Sequence, residues 1–144
     1  MERSMRLILT LALALAAFSA KGATFETAQK AKAFSDEIMN LFIQEKFGEG
    51  LGRAKEYWPL PAVEIDSLAN TIDQQWTIVR KRFGKATGME YIKTERIGES
   101  FIRHIYLHKF ANHAIYWHID YYKPTEKWSI NAITFLDRLD ELYE

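Results

Sequence analysis

Residues 101–135 read FIRHIYLHKFANHAIYWHIDYYKPTEKWSINAITF, and the period of two in their apolar positions decides the fold. Aromatic and β-branched residues dominate three runs, FIRHIYLHKF, AIYWHIDYY and KWSINAITF. Between the runs stand Ala111–His113 and Lys123–Glu126, an Asn-His tip and a Pro-Thr turn that suit hairpin loops. The stretch holds all 4 histidines of the chain, so the floor of any pocket is expected here. Upstream, MEYIKTERI (89–97) shows the same period and meets the first run across Gly98-Glu99, a Gly-X hairpin turn. The pattern predicts a meander of four antiparallel strands.

Ahead of the strands the period is helical. Ala31, Phe34, Ile38, Leu41 and Phe42 recur at steps of three and four between Thr24 and Lys46. FGEGLGR (47–53) then breaks the pattern. It leaves a helix rather than a strand and lacks a Gly-Lys-Ser/Thr ending, so it reads as a helix-to-helix turn and not a phosphate loop. A short helix over 51–57 ends at Trp58-Pro59-Leu60-Pro61. Pro61 opens the third helix, whose stripe is Ile65, Leu68, Ile72, Trp76, Val79 and Phe83, with Gly84 as its C-cap. Arg80, Lys81 and Arg82 with Lys85 form the densest basic cluster, read as a solvated helix end or an anion site. Leu136 to Tyr143 is expected to add one or two helical turns. The fold class is α+β, with three N-terminal helices packed in a curved four-stranded antiparallel sheet.

The chain has 144 residues, enough for one domain, placed at 24–144. Residues 1–23 have the layout of a secretory signal peptide: Arg3 and Arg6, an apolar run from Leu7 to Phe18, then small residues. A spanning helix needs about 20 apolar residues, and this run breaks at Ser19 and Lys21. Two cleavage sites fit, after Ser19 or after Gly22. An exported domain, periplasmic or secreted, is therefore expected, with no membrane partner once the signal is removed. The chain has no cysteine, which excludes disulfides, thiol nucleophiles and a lipidated anchor. Beyond residue 23 the balance is 16 basic against 18 acidic residues, without the basic surplus that a nucleic-acid partner calls for.

Strand register sorts the side chains onto two faces. Short loops pair Tyr91 with Tyr106, Lys93 with His104, Arg103 with Asp120 and Ile119 with Ile130. The apolar face then carries Met89, Tyr91, Ile97, Ile102, Tyr106, Phe110, Ile115, Trp117, Ile119, Tyr121, Trp128, Ile130 and Ala132. Lys93, Glu95, His104 and His108 interrupt it. The other face carries Arg103 and Asp120 as a cross-strand pair, with Ile105, Leu107, Tyr116 and His118. That is more apolar surface than a solvated face holds, and it suggests a homodimer through Arg103, Ile105, Leu107, Tyr116 and His118.

Helices first and then a curved aromatic sheet, with the glycine-rich junction Phe47–Gly52 and the closing strand KWSINAITF, resemble the nuclear-transport-factor-two-like superfamily. These cone folds include ketosteroid isomerases, scytalone dehydratases and exported proteins with no assigned activity. The resemblance covers about residues 25–136, and this chain looks most like the short exported members. It departs from many relatives in lacking a short hairpin between the second and third helices. The resemblance implies a ligand at the open end of the cone, where Tyr91, Lys93, His104, Tyr106, His108 and Trp117 are the expected contacts. His104 and Tyr106 are the catalytic candidates, since a His beside a Tyr in an apolar cavity can move a proton next to a carbonyl. The carboxylate base and oxyanion donors of the isomerases do not map onto this chain residue by residue. His104-x-x-x-His108 lies on a strand, which separates the rings by about 13 Å, so no metal and no cofactor are expected. The resulting expectation is an exported, non-enzymatic domain that binds a small apolar ligand or a protein partner. The alternative is an isomerase- or dehydratase-type enzyme with a His/Tyr pocket.

Overall fold

Thr27 caps the first helix: its backbone is extended, and Thr27 Oγ1 accepts from Lys30 N at 3.1 Å. In the computed structural model of the chain, which describes residues 22–143, this helix is α1 (Ala28–Ile43). The residues expected on its apolar face, Ala31, Phe34, Ile38, Leu41 and Phe42, are all buried. Helix α2 (Phe47–Ala54), a 3-10 turn (Lys55–Tyr57) and helix α3 (Ala62–Phe83) follow. Strands β1 (Ala86–Ile97), β2 (Phe101–Phe110), β3 (Ala114–Tyr122) and β4 (Ser129–Leu136) then form one antiparallel sheet in sequential order, closed by a 3-10 turn (Leu139–Leu142). The fold is the expected α+β arrangement, three helices followed by four antiparallel strands. The signal-peptide pattern expected over 1–23 falls almost wholly outside the described residues. Among those that are described, no helix is long and apolar enough to cross a membrane.

One helical boundary differs from the sequence reading. The turn between the first two helices is Gln44–Lys46, and Gly48, Gly50 and Gly52 lie inside α2. Phe47, Leu51 and Ala54 fall on one side of that helix and are buried, and their burial outweighs the poor helix propensity of glycine. Gly50 is where α2 meets α1: a Cβ there would sit 2.6 Å from Phe42 Cε1. At the end of α3, the expected C-cap Gly84 adopts φ +85°, a backbone conformation that residues with side chains rarely take.

Strand register holds at the centre of the sheet and slips at both edges. Arg103 pairs with Asp120 and Lys109 with Ala114, as the loops predict. Between β1 and β2 the turn has three residues, so Ile97 faces Phe101, and an irregularity between Tyr91 and Lys93 restores the Tyr91–Tyr106 pair. Lys93 therefore pairs with Ile105 and Glu95 with Arg103, which moves both from the helix-facing side to the outer side. Between β3 and β4, Tyr121 pairs with Ile130, and a second irregularity beyond it sets Ile119 opposite Ile133. Ile133, not Ala132, then belongs to the core face. Trp128 is diverted from β3 because it bridges Phe25, with reciprocal backbone bonds of 2.8 Å.

The core lies between the helices and the inner face, around Trp117, Trp76, Phe42 and Phe47, whose rings pack with centroids 4.5–6.0 Å apart. On the outer face the chain covers part of itself. Leu139, Leu142 and Tyr143 lie over Ile92 and Leu107 around a cavity of about 240 Å³. Tyr116 Oη donates to Glu141 Oε2 at 2.7 Å, and burial with this carboxylate pushes the phenol up to about 12.

Candidate functional site

Helix α1 supplies what the sheet alone lacks: polar partners for β2. Ser35 stands on its buried stripe, four residues after Ala31, and bridges two strands. Tyr121 Oη donates to Ala31 O at 3.0 Å, which uses its one proton. Ser35 Oγ therefore donates to Tyr121 Oη at 2.8 Å and accepts from His104 Nδ1–H at 2.8 Å. The chain of bonds fixes His104 as the Nδ1–H tautomer. Burial, reinforced by the Lys32 charge, lowers its pKa to about 4, so His104 is neutral at pH 7.

Tyr106, two residues on, is buried with the core and also lines a cavity. Its hydroxyl donates to Asp36 Oδ1 at 2.5 Å, and Lys32 Nζ meets the same oxygen at 2.6 Å. Lys32 Nζ also lies 4.0 Å from the centroid of the Tyr91 ring. Burial and the Asp36 carboxylate push the Tyr106 phenol far up, so it remains a donor throughout the physiological range. Asp36, Met39, Asn40, Ile43, Met89, Tyr91 and Tyr106 enclose about 390 Å³ between α1 and β1. Ile43 also lines a neighbouring cavity of about 560 Å³ against the end of α3. The cavity between α1 and β1 forms a groove, and Ile43 stands between it and its neighbour.

His108 is fully buried and takes a different partner. Trp117 Nε1 donates to His108 Nδ1 at 3.1 Å, so the imidazole proton is on Nε2. His108 Nε2 has no hydrogen-bond partner among the described residues. Burial alone lowers the pKa of His108 to about 4. On the outer face, Arg103 grips Asp120 with two bonds of 2.8 and 2.9 Å, and His118 Nδ1 donates to Asp120 Oδ1 at 3.1 Å. Burial by itself would raise the Asp120 carboxyl, but the bonds from His118 and Arg103 outweigh it and hold it below the ordinary value.

Of the expected contacts, Tyr91 and Tyr106 line the groove, whereas His104, His108 and Trp117 are buried in the core. Lys93 turns to the outer face because the turn after β1 has three residues, which pairs it with Ile105. Residues from α1, namely Lys32, Ser35 and Asp36, complete the site and were not anticipated. Their signal was a serine on a buried helical stripe beside a Lys–Asp pair at i,i+4. Among the described residues no three His, Asp or Glu side chains lie close enough to hold a metal ion. Set against known family patterns, characterised proteins and solved structures, the chain matches none.

Proposed function

We propose that the chain is an exported binding domain that takes a small apolar ligand into the groove between α1 and β1 and performs no chemistry on it. One observation carries this reading. The two groups suited to moving a proton are committed elsewhere, His104 to Ser35 and Tyr106 to Asp36, and neither titrates near pH 7. The groove offers apolar side chains, Met39, Ile43 and Met89, with a few polar groups at its edge, the usual make-up of a ligand site. Kinship with the nuclear-transport-factor-two-like superfamily belongs to the same proposal, supported by helices preceding a curved antiparallel sheet.

Calorimetric titration with a panel of small apolar molecules tests it. Binding is expected in the wild type and in His104→Gln, and loss of binding in Ile43→Trp, which fills the groove. No binding by any member of the panel would sink the reading. A second reading, an isomerase- or dehydratase-type enzyme, is favoured by the Tyr106–Asp36 contact, since a phenol donor and a carboxylate then share one groove wall. Turnover of a carbonyl substrate that disappears in Asp36→Asn would establish it in place of the first.

The homodimer through Arg103, Ile105, Leu107, Tyr116 and His118 enters this proposal in a restricted form. Leu139 and Leu142 lie over part of that face, so a second copy would meet it with the C-terminal turn displaced.

A further inference from the structure

The basic cluster at the end of α3 is not needed to cap the carbonyls of Arg80 and Phe83. Gly84 N donates to Arg80 O at 3.1 Å and Asn112 N to Phe83 O at 2.9 Å, so backbone donors already serve these terminal carbonyls. Two of the four cations, Arg80 and Lys85, instead line the cavity of about 560 Å³ that shares Ile43 with the groove. The walls there are apolar: Ile43, Trp76, Ala86 and Phe110. The single acid of the lining, Glu45, takes Arg80 Nε at 3.3 Å. Lys85 has no side-chain partner among the described residues, and Lys81 and Arg82 stand exposed beside it. The cavity thus has an apolar floor and a surplus of positive charge at its rim.

Behind the floor is an unused donor. The His108 ring lies 4.4 Å from Phe110 and 5.5 Å from Trp76, centroid to centroid, and both of those rings face the cavity. The two nitrogens of an imidazole point to opposite sides of the ring. With Nδ1 turned to Trp117 on β3, Nε2–H turns away from β3. Unpaired buried donors are rare, but His108 does not itself line the cavity, so this one takes no part in the binding proposed below.

We propose that this cavity holds an apolar monocarboxylic acid, its hydrocarbon body against Trp76 and Phe110 and its carboxylate between Arg80 and Lys85. This rests on the binding-domain reading and narrows it from any apolar ligand to an amphipathic anion. Charge complementarity chooses the occupant, because only an anionic head gains from Arg80 and Lys85, while a neutral one gains nothing from them and a cationic one is repelled.

Octanoate, 1-octanol and octylammonium share one hydrocarbon chain and differ in the head. Each is titrated into the purified protein, with binding read from the amide chemical shifts of residues 84–86 and 110. Octanoate is expected to bind roughly two- to tenfold more tightly than 1-octanol, the range for one or two partly exposed ion pairs. The Arg80→Gln/Lys85→Gln variant is expected to erase that preference and leave 1-octanol binding unchanged. Equal binding of octanoate and 1-octanol to the wild type overturns the anion assignment and leaves the apolar groove standing. Shifts confined to residues outside 84–86 and 110 overturn the assignment to this cavity, and no shift at any residue from any of the three overturns both. A preference for octanoate over 1-octanol that survives in the double variant also overturns the assignment, since the carboxylate would then be held elsewhere.

Discussion

His104 and His108 stand four residues apart on β2, and each is held neutral by burial while a neighbour uses one of its nitrogens. Their pKa values of about 4 against an ordinary 6.5 mean that the unfolded chain takes up protons first. The stability they contribute is complete above about pH 6.5, falls as the pH drops towards 4, and changes no further below that. Two and a half pH units correspond to on the order of 3 kcal/mol for each histidine. Asp120 acts in the same direction in a lower window, because its carboxyl is depressed and its share is lost only below the ordinary carboxylate range. Urea midpoints measured from pH 7.5 to 4.5 are expected to fall steeply for the wild type. In His108→Leu the slope should be shallower by about half, whatever the change at pH 7.5. A wild-type midpoint that is flat across this range would show that neither histidine is buried neutral. A fourth residue, Arg103, binds Asp120 through two nitrogens. Arg103→Ala leaves that buried carboxylate with His118 alone and is expected to cost about 1–3 kcal/mol in the same measurement.

At the scale of elements, helix α2 is the one that propensity argued against. Three glycines in six residues cost roughly 0.5–1 kcal/mol each relative to alanine, while burying Phe47 and Leu51 returns about 1.5–3 kcal/mol each. The three positions are not equivalent. Gly48 and Gly52 have nothing within 4 Å of an added Cβ, whereas Gly50 has the Phe42 ring at 2.6 Å. Gly52→Ala is therefore expected to stabilise the protein by about 0.5–1 kcal/mol, and Gly50→Ala to destabilise it by about 1–3 kcal/mol. Denaturant unfolding of the two variants gives opposite signs if α2 is a helix packed on α1 through Gly50. Equal effects would return the run to the turn that it resembles in sequence. The strands divide in a similar way. Period-two alternation located all four strands and the Arg103–Asp120 pair, because that register depends only on a four-residue loop. It misplaced Lys93 because Gly98-Glu99-Ser100 accommodates a two- or a three-residue turn. It misplaced Ala132 because a one-residue irregularity between the Tyr121–Ile130 and Asp120–Ala132 pairs turns β4 over beyond that point, which no local pattern reveals.

For the molecule as a whole, the same distinction separates what was legible from what was not. Local periods carried the order of helices and strands, and the face each strand turns to the core at the sheet's centre. The groove depends on contacts between Asp36 and Tyr106 and between Ser35 and His104, where the sequence separations are 70 and 69 residues. The outer face depends on a third kind of long contact, that of the C-terminal turn. Its apolar content was read as a surface for a second copy, and part of it is instead covered by Leu139, Leu142 and the Tyr116–Glu141 bond. These two readings make different demands on the assembly. If the turn occupies the surface, the full chain is monomeric at micromolar concentration, and removing residues 137–144 uncovers Ile92, Leu107 and Tyr116 together. Light scattering is then expected to report a monomer for the full chain and a dimer for the shortened one. Tyr116→Phe, which loses only the bond to Glu141, should lie between them, with a weaker dimer that forms at higher concentration. Circular dichroism of the shortened chain must match the full chain for the comparison to count. A shortened chain that is folded and monomeric would mean that the face is not an interface at all. A full chain that is already dimeric, with the Tyr116 hydroxyl still bonded to Glu141, would place the contact elsewhere. The next surface to examine would be the uncovered row Ile97, Phe101 and Tyr122, where two rings stack at 4.7 Å and Ile97 is 73% exposed.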